Sequence, residues 1–369
     1  MAKQLVLIGG GHAHMETLAA LPDFIGRGHA VTVVAPSPYH YYSGMGPGML
    51  AGTYQPEEIR FATRRQVEER GGVFVLGRVV RIDPATKTVL LEDGVRIPYD
   101  VLSCNAGSFV PRVVPVSDAG GPVFTVKPIE ELLTARRQIL ELAAAGRTRI
   151  AVVGGGPSAV EIAGNAWRLL RDAGVDQPAI WILAGTRLLG RLPEPVRRRA
   201  YASLTRRGIE IIEAGHVREI RDGKVRLDAG ADYPADFVFL ALGIKPAALF
   251  ADSGLPVGPD GGLLVNEYLQ SPAHPEIFGG GDCIHFAPRP LAKVGVYAVR
   301  QNPILRHNLL AALEGGALRT FEPGGDYLLI YNLGDDTGIF HKRGLVFGGR
   351  PAFWIKDYID RRFMRRFQA

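Results

Sequence analysis

The order of apolar and polar residues divides this chain into alternating strands and helices from its start. Leu5, Val6, Leu7 and Ile8 form an unbroken apolar run that stops at Gly9-Gly10-Gly11, after which Met15, Leu18 and Leu21 recur every three residues. A continuous apolar run predicts a strand buried on both faces, the glycines a tight turn, and the recurrence a helix. Residues 30–34 predict the second strand of a βαβ unit. Residues 39–50 mix aromatics with glycines at neither period and predict a loop, which either covers a flat ring or packs on its own tyrosines. Residues 57–70 predict a polar helix, 73–76 and 88–91 strands, 83–87 a hairpin-like turn, 99–108 a strand running into small residues, and 129–145 a helix.

The opening pattern then repeats about 145 residues later: Ile150-Ala151-Val152-Val153 runs into Gly154-Gly155-Gly156 and a helix with Ala159 in its first turn. Residues 180–183 predict the strand that closes this second unit, 236–243 another buried strand, and 276–283 a short strand ending in three glycines and Asp282. A helix follows from Val296 to about Leu313. In the tail, Trp354, Ile355, Tyr358, Ile359, Phe363 and Phe367 recur at three- and four-residue spacing with arginines between them, which predicts an amphipathic helix.

These turns carry the candidate chemistry. Gly9 and Gly11, and again Gly154 and Gly156, supply the first glycines of G-x-G-x-x-G, which let the backbone approach a pyrophosphate seated on a helix N-terminus. His14 and Ala159 hold the third positions. Two such units imply two nucleotide sites. The acid that usually binds the adenosine ribose is replaced by Ala35 in the first unit, leaving backbone groups or Ser37. In the second unit no acid follows Leu183, and Arg187 is close by, so NADPH is tolerated; the alternative for Arg187 is a solvated surface charge. Asp282 suits a ribityl hydroxyl or a helix start, and otherwise a plain turn. The helix beginning at Gly295 and Val296 would aim its positive end at a ring that becomes anionic on reduction.

Composition narrows the class. A chain of 369 residues suggests about two domains, and 46 glycines fit an α/β protein rich in tight turns. Cys104 and Cys283 form neither a C-x-x-C pair nor a metal ligand set, which points to a cytoplasmic protein. The first strand starts too early for a signal peptide, and no run of about 18 apolar residues predicts a membrane span. Of the net charge of +6, much lies in the tail, where Arg350, Lys356, Arg361, Arg362, Arg365 and Arg366 face Asp357 and Asp360. That clustering argues against nucleic-acid binding, despite a pI near 9.3. It leaves three partners for residues 351–369: a membrane interface at the inner face of the cell membrane, the protein's own sheet, or a second subunit in a homodimer.

Assembled, these residues resemble the two-dinucleotide-binding-domain flavoproteins of the pyridine nucleotide-disulfide oxidoreductase superfamily. The resemblance rests on Gly9-x-Gly11, Gly154-x-Gly156-x-x-Ala159-x-Glu161 and Ile277-Phe278-Gly279-Gly280-Gly281-Asp282. Within it the chain is similar to type II NADH dehydrogenase-like proteins. It is most like the FAD-dependent oxidoreductases linked to selenide, water dikinase, through Gly9-Gly10-Gly11-His12-Ala13-His14, Tyr42-Ser43-Gly44-Met45, residues 296–301 and residues 359–364.

The resemblance implies an α/β fold of two Rossmann-like domains: FAD in residues 1–112 with 244–320, NAD(P)H in 113–243, and a C-terminal segment from 321 to 369. It implies that Gly9, Gly11, His12, Ala13, Ala35, Ser43, Ala106, Gly107, Gly281, Asp282, Gly295 and Val296 line the FAD site. Gly154, Gly156, Ala159, Arg187 and Gly243 would line the pyridine nucleotide site. Glu161, near the nicotinamide, and Lys293, a cation near the flavin pyrimidine, are the implied catalytic residues; their bland alternatives are a helix-stabilising acid and a solvated lysine.

Several departures limit the transfer. No cysteine pair stands beside the implied flavin, and residues 125–129 and 327–343 hold no cysteine, which disfavours disulfide reduction and sulfide:quinone oxidoreduction. Where type II NADH dehydrogenases carry a glutamine pair, this chain has Val296 and Arg300, which bears on quinone as the acceptor. The expected reaction is oxidation of NAD(P)H with transfer of electrons to a quinone or another small acceptor. The alternative is a flavin-containing redox sensor or partner subunit with little turnover.

Overall fold

The computed structural model describes residues 2–368. The first stretch of chain contributes β1 (Gln4–Ile8), α1 (Met15–Ala19), α2 (Leu21–Gly26), β2 (Ala30–Ala35), α3 (Gly46–Ala51), α4 (Thr63–Glu69), β3 (Val73–Leu76) and β4 (Val101–Cys104). A second stretch contributes β5 (Val123–Thr125), α5 (Glu131–Ala144), β6 (Arg149–Val153), α6 (Pro157–Asp172), β7 (Ala179–Leu183), β8 (Glu210–Ile212) and β9 (Phe237–Leu240). Then β10 (Ile277–Gly279) returns to the first sheet and leads to α7 (Gly295–Glu314). The chain closes with β11 (Leu329–Asn332), β12 (Gly338–Lys342), β13 (Leu345–Gly349) and α8 (Arg350–Gln368).

Two five-stranded parallel sheets result, in the orders β10-β4-β1-β2-β3 and β5-β9-β6-β7-β8. In each, a glycine-terminated strand sits at the centre. Ile8 lies level with Val34 and Cys104, and Val153 with Leu183 and Leu240. The strand order reverses beside each central strand, which opens a crevice at its carboxyl end where ligands bind in such sheets. Leu5, Leu7, Leu102 and Phe278 in one sheet and Val152, Ile182, Phe239 and Leu240 in the other have no exposed surface, because strands covered on both faces admit only apolar side chains. Antiparallel β12 links β11 and β13 into a third sheet, against which α8 packs.

Three sequence expectations are corrected. Residues 39–50 are not irregular throughout: His40–Tyr41 pairs with Arg60–Phe61, and Gly46–Ala51 is a wholly buried helix. Its glycines are required by closeness; a Cβ at Gly48 would lie 2.6 Å from the Tyr54 ring, and one at Gly46 2.9 Å from Ile129. Residues 57–70 are not one helix but a turn at Pro56–Glu58, the Arg60–Phe61 strand and α4. The apolar stripe of the tail is also not one face. Phe353, Met364 and Phe367 are buried with Lys356 and Asp360, whereas Trp354, Tyr358 and Ile359 are 62%, 58% and 41% exposed.

Candidate functional site

The first glycine turn is built by mutual exclusion of side chains. Gly9 has φ +84°, and a Cβ there would lie 2.3 Å from the Asn105 carbonyl oxygen; one on Gly10 would meet Thr63 Cγ2 at 2.3 Å. The turn therefore nests against the loop that follows β4. His14, in the place of the third glycine, braces it: Nδ1 donates to Gly9 O at 2.6 Å while Nε2 accepts from the Ser103 hydroxyl at 2.8 Å. Burial drives its pKa down to about 4, which keeps it in the neutral form that this donor-acceptor pair needs. Ala13 touches the space above Gly280, where a Cβ would come within 2.8 Å.

The aspartate loop is tied to the same turn. Gln301 of α7 accepts from Gly281 N at 2.7 Å, and the adjacent Asn302 donates to His12 O at 2.5 Å and accepts from Glu16 N at 3.1 Å. Asp282 accepts from Ser108 Oγ at 2.8 Å and from Lys127 Nζ at 2.9 Å. Around this cradle, Asn105 Nδ2, Thr63 Oγ1 and His12 Nε2 are buried polar atoms without a partner. Such atoms cost about 1–3 kcal/mol each unless something polar meets them, so the cradle fits a polar ligand such as the diphosphate and ribityl parts of FAD.

An aromatic wall stands beside it. His12 stacks on Phe363 of α8 with ring centres 5.7 Å apart, meets His40 edge-on at 4.9 Å and Tyr42 at 5.3 Å, and its Nδ1 shares a 3.1 Å hydrogen bond with His40 Nε2. Burial pushes His12 down to about 4, with Lys127 adding to the effect.

The second turn follows the same plan. A Cβ on Gly154 would lie 2.3 Å from Ala241 O and one on Gly155 2.5 Å from Ala184 O, whereas Gly156 and Gly243 face open space. The N-terminus of α6 is thus accessible, with Ala159 buried behind it. The Arg187 carbonyl packs on the same turn, 3.1 Å from where a Cβ on Gly155 would lie, and its exposed side chain pairs with Glu194 at 2.7 Å. Leu183 is followed by buried Ala184, so the end of β7 itself carries no carboxylate; that of Glu213 accepts from Leu188 N at 2.6 Å.

Glu161, one turn further along α6, accepts from Asn332 N of β11 at 2.8 Å. Burial raises its pKa to about 7 against the opposing pull of Lys356. Lys356 and Asp360, both buried on α8, pair at 2.7 Å; Lys356 also donates to Gly44 O, and Tyr42 donates to Asp360 Oδ1 at 3.0 Å. A polar cluster from three distant stretches therefore sits between α6, α8 and the loop before α3.

Other expected site residues occupy varied positions. Ala35 ends β2 and its carbonyl accepts from Gly77 N, and Ser37 Oγ accepts from Tyr39 N. Ser43 lies in the turn before α3. Ala106 and Gly107 follow Asn105, Gly107 at φ +69° with open space above it. Gly295 and Val296 begin α7. Lys293 pairs with Asp260 at 2.8 Å and donates to Ile284 O, so its ammonium is not on Asp282. The cation at Asp282 is Lys127, which sequence reasoning passed over because no local pattern announces a contact across 155 residues. Asn105, Ser108, Asn302, Lys356 and Asp360 were missed for the same reason.

The family model of the pyridine nucleotide-disulphide oxidoreductases matches residues 3–302, which span both glycine turns and Asp282. The chain belongs to this family. Its relatives include ferroptosis suppressor protein 1 of Taeniopygia guttata, 28% identical over 75% of this chain and 74% of that one. Demethylphylloquinone reductase NdbB of Synechocystis sp. is 26% identical over 96% of this chain and 91% of its own. Among solved structures, NDH2 from Plasmodium falciparum in complex with NADH superposes with a TM-score of 0.82 at 14% identity, covering 98% of this chain and 96% of that one, which shows the same fold. In this oxidoreductase Cys104 and Cys283 are free and buried, and Cys283 Sγ donates to backbone carbonyls.

Proposed function

We propose that the protein is an FAD-dependent NAD(P)H oxidoreductase that passes electrons to a quinone without a protein dithiol. The observation that carries this reading is the pair of glycine turns at the carboxyl edges of two parallel sheets, one beside a cradle of unpartnered buried polar atoms and the other open. The division of labour follows residues 1–112 with 244–320 for FAD, 113–243 for NAD(P)H and 321–369 as a closing segment. FAD held in the first cradle would supply the two-electron chemistry between a nicotinamide and a quinone. The turn that Gly9 and Gly11 let close against Asn105 would hold the diphosphate, Asp282 would accept from the ribityl chain, and Asn105, Thr63 and His12 would present polar atoms to it. The turn at Gly154, the open Gly156 and the start of α6 would receive the second diphosphate.

Quinone reduction also consumes a proton beyond the hydride. Glu161, with its pKa near 7, holds one at neutral pH, and Lys356 stabilises the carboxylate once it leaves. The name of the relative NdbB, a demethylphylloquinone reductase, supports a quinone acceptor. Among the described residues no helix is long and apolar enough to cross a membrane, but the exposed Trp354, Ile355, Tyr358 and Ile359 beside Arg362 and Arg365 suit a lipid interface where quinones reside. The run Gly9-Gly10-Gly11-His12-Ala13-His14 resembles that of the FAD-dependent oxidoreductases linked to selenide, water dikinase. Anaerobic mixing with NADH or NADPH should bleach the flavin band, and a soluble quinone should restore it; failure of both nucleotides to bleach it refutes the reading.

A further inference from the structure

We propose that the His14–Ser103 pair is a brace that makes the first glycine turn a retention site, whereas the second turn, built without it, is an exchange site. This rests on the FAD reading above and deepens it, because a flavin stays through every cycle while NAD(P)+ must leave.

The two turns can be compared position by position. Leu7, two residues before Gly9, lies level with Ser103 of β4; Val152, two residues before Gly154, lies level with Phe239 of β9. The third position of the motif is His14 in the first unit and Ala159 in the second. None of these four side chains, at positions 14, 103, 159 and 239, has exposed surface. One unit thus combines a large polar residue with a small polar one, and the other a small apolar residue with a large apolar one. The two pairs have similar combined volume, so both can fill a close-packed interior.

Filling is therefore common to both turns, and the hydrogen bonds are not. His14 Nε2 accepts from the Ser103 hydroxyl at 2.8 Å while Nδ1 donates to Gly9 O at 2.6 Å, so a ring anchored in a central strand holds the residue that makes the turn. Ala159 has no polar group with which to hold Gly154. The first turn is tied at its far end too, where Asn302 of α7 donates to His12 O at 2.5 Å and accepts from Glu16 N at 3.1 Å. In the second turn the Gly155 carbonyl accepts from Leu189 N at 2.7 Å, which belongs to the loop after β7 and not to a strand. Loops move more than the strands they join. A turn fixed in its binding conformation pays less ordering cost when a diphosphate arrives and releases it more slowly.

Dilution of the FAD-loaded full-length chain tests this, the return of free-flavin fluorescence giving the rate of FAD loss. His14→Ala/Ser103→Phe copies the second unit: it keeps the space filled and removes the hold on Gly9 O. It should lose FAD about tenfold faster or more. The thermal midpoint of its apo form and its binding of NADH and NADPH at the second turn should stay near wild type, which separates loss of the brace from misfolding. Ser103→Ala, a milder change, frees one end of the brace and should speed FAD loss severalfold. FAD loss at the wild-type rate in the double variant, or in Ser103→Ala should the double variant not fold, makes the pair a space filler and overturns the proposal. Weakening of nucleotide binding at the second turn equal to that of FAD overturns it as well. A wild-type chain that takes up no FAD overturns the parent reading instead.

Discussion

At the scale of single residues, the two glycine turns make opposite demands at positions that look alike in sequence. Gly9 needs a left-handed backbone and has the Asn105 carbonyl where a Cβ would go, so Gly9→Ala should cost several kcal/mol and lower both FAD retention and the thermal midpoint. Gly156 has an ordinary φ of −90° and open space, so Gly156→Ala should leave the midpoint almost unchanged. It should raise the NAD(P)H dissociation constant about tenfold or more, because the methyl group stands where a diphosphate must approach. Calorimetry and nucleotide titration of both variants separate these effects.

Glu161 gives a pH signature of its own. In the unfolded chain it ionises near 4.5, whereas burial holds the folded carboxyl neutral up to about 7. Stability from this group is fully present below pH 4.5 and is lost as pH rises from 4.5 to 7, since the unfolded state sheds its proton first. The full loss is on the order of 3 kcal/mol. Glu161→Gln should flatten that slope in denaturant midpoints taken between pH 5 and pH 8; an unchanged slope would show that the carboxyl is ionised in the folded chain.

At the scale of elements, α8 is two faces with different partners. Its inner face carries Phe353, Met364 and Phe367 together with the Lys356–Asp360 pair, so cutting it away would unfold its surroundings and could not test its outer face. Lys356→Met leaves Asp360 buried without a counterion and should cost about 3–5 kcal/mol in chemical denaturation. A Lys356→Met/Asp360→Leu double variant should recover most of that loss. The outer face is tested by replacing Trp354, Ile355, Tyr358 and Ile359 with serine. Co-sedimentation with anionic liposomes should fall at least severalfold while the fold is kept, and undiminished co-sedimentation would remove the lipid interface from consideration.

At the scale of the whole molecule, the C-terminal segment ties the two halves together: β11 packs on α6 of the second sheet, while α8 meets His12, Tyr42 and Gly44 of the first stretch. Gly164 of α6 and the Leu333-Gly334 backbone pack against each other: a Cβ on Gly164 would lie 2.2 Å from Leu333 O and one on Gly334 2.2 Å from Gly164 O, and Asn332 N donates to Glu161. Lys356 acts on Glu161 of α6, so removing its charge should loosen α6 and β11 first. In Lys356→Met, hydrogen exchange should accelerate in α6 and β11 before it does in β1 and β2, and simultaneous acceleration everywhere would show a single cooperative unit.

The sequence by itself determined whatever depends on neighbours along the chain: the central strands, the turns at Gly9 and Gly154, the helix starts behind them and the lack of a local cysteine pair. Those features follow from side-chain period and from the backbone freedom of glycine, both of which are local. It misjudged residues 39–50 and 57–70, where buried contacts with Tyr54, Ile129 and α8 override weak local preference. Only the tertiary structure decided which cation meets Asp282, what His14 does in a glycine's place and which side of the tail is covered. Lys127, Ser103 and Asp360 reach their partners across 89 to 318 residues, and contacts made by folding over such distances leave no period or spacing in the chain that makes them.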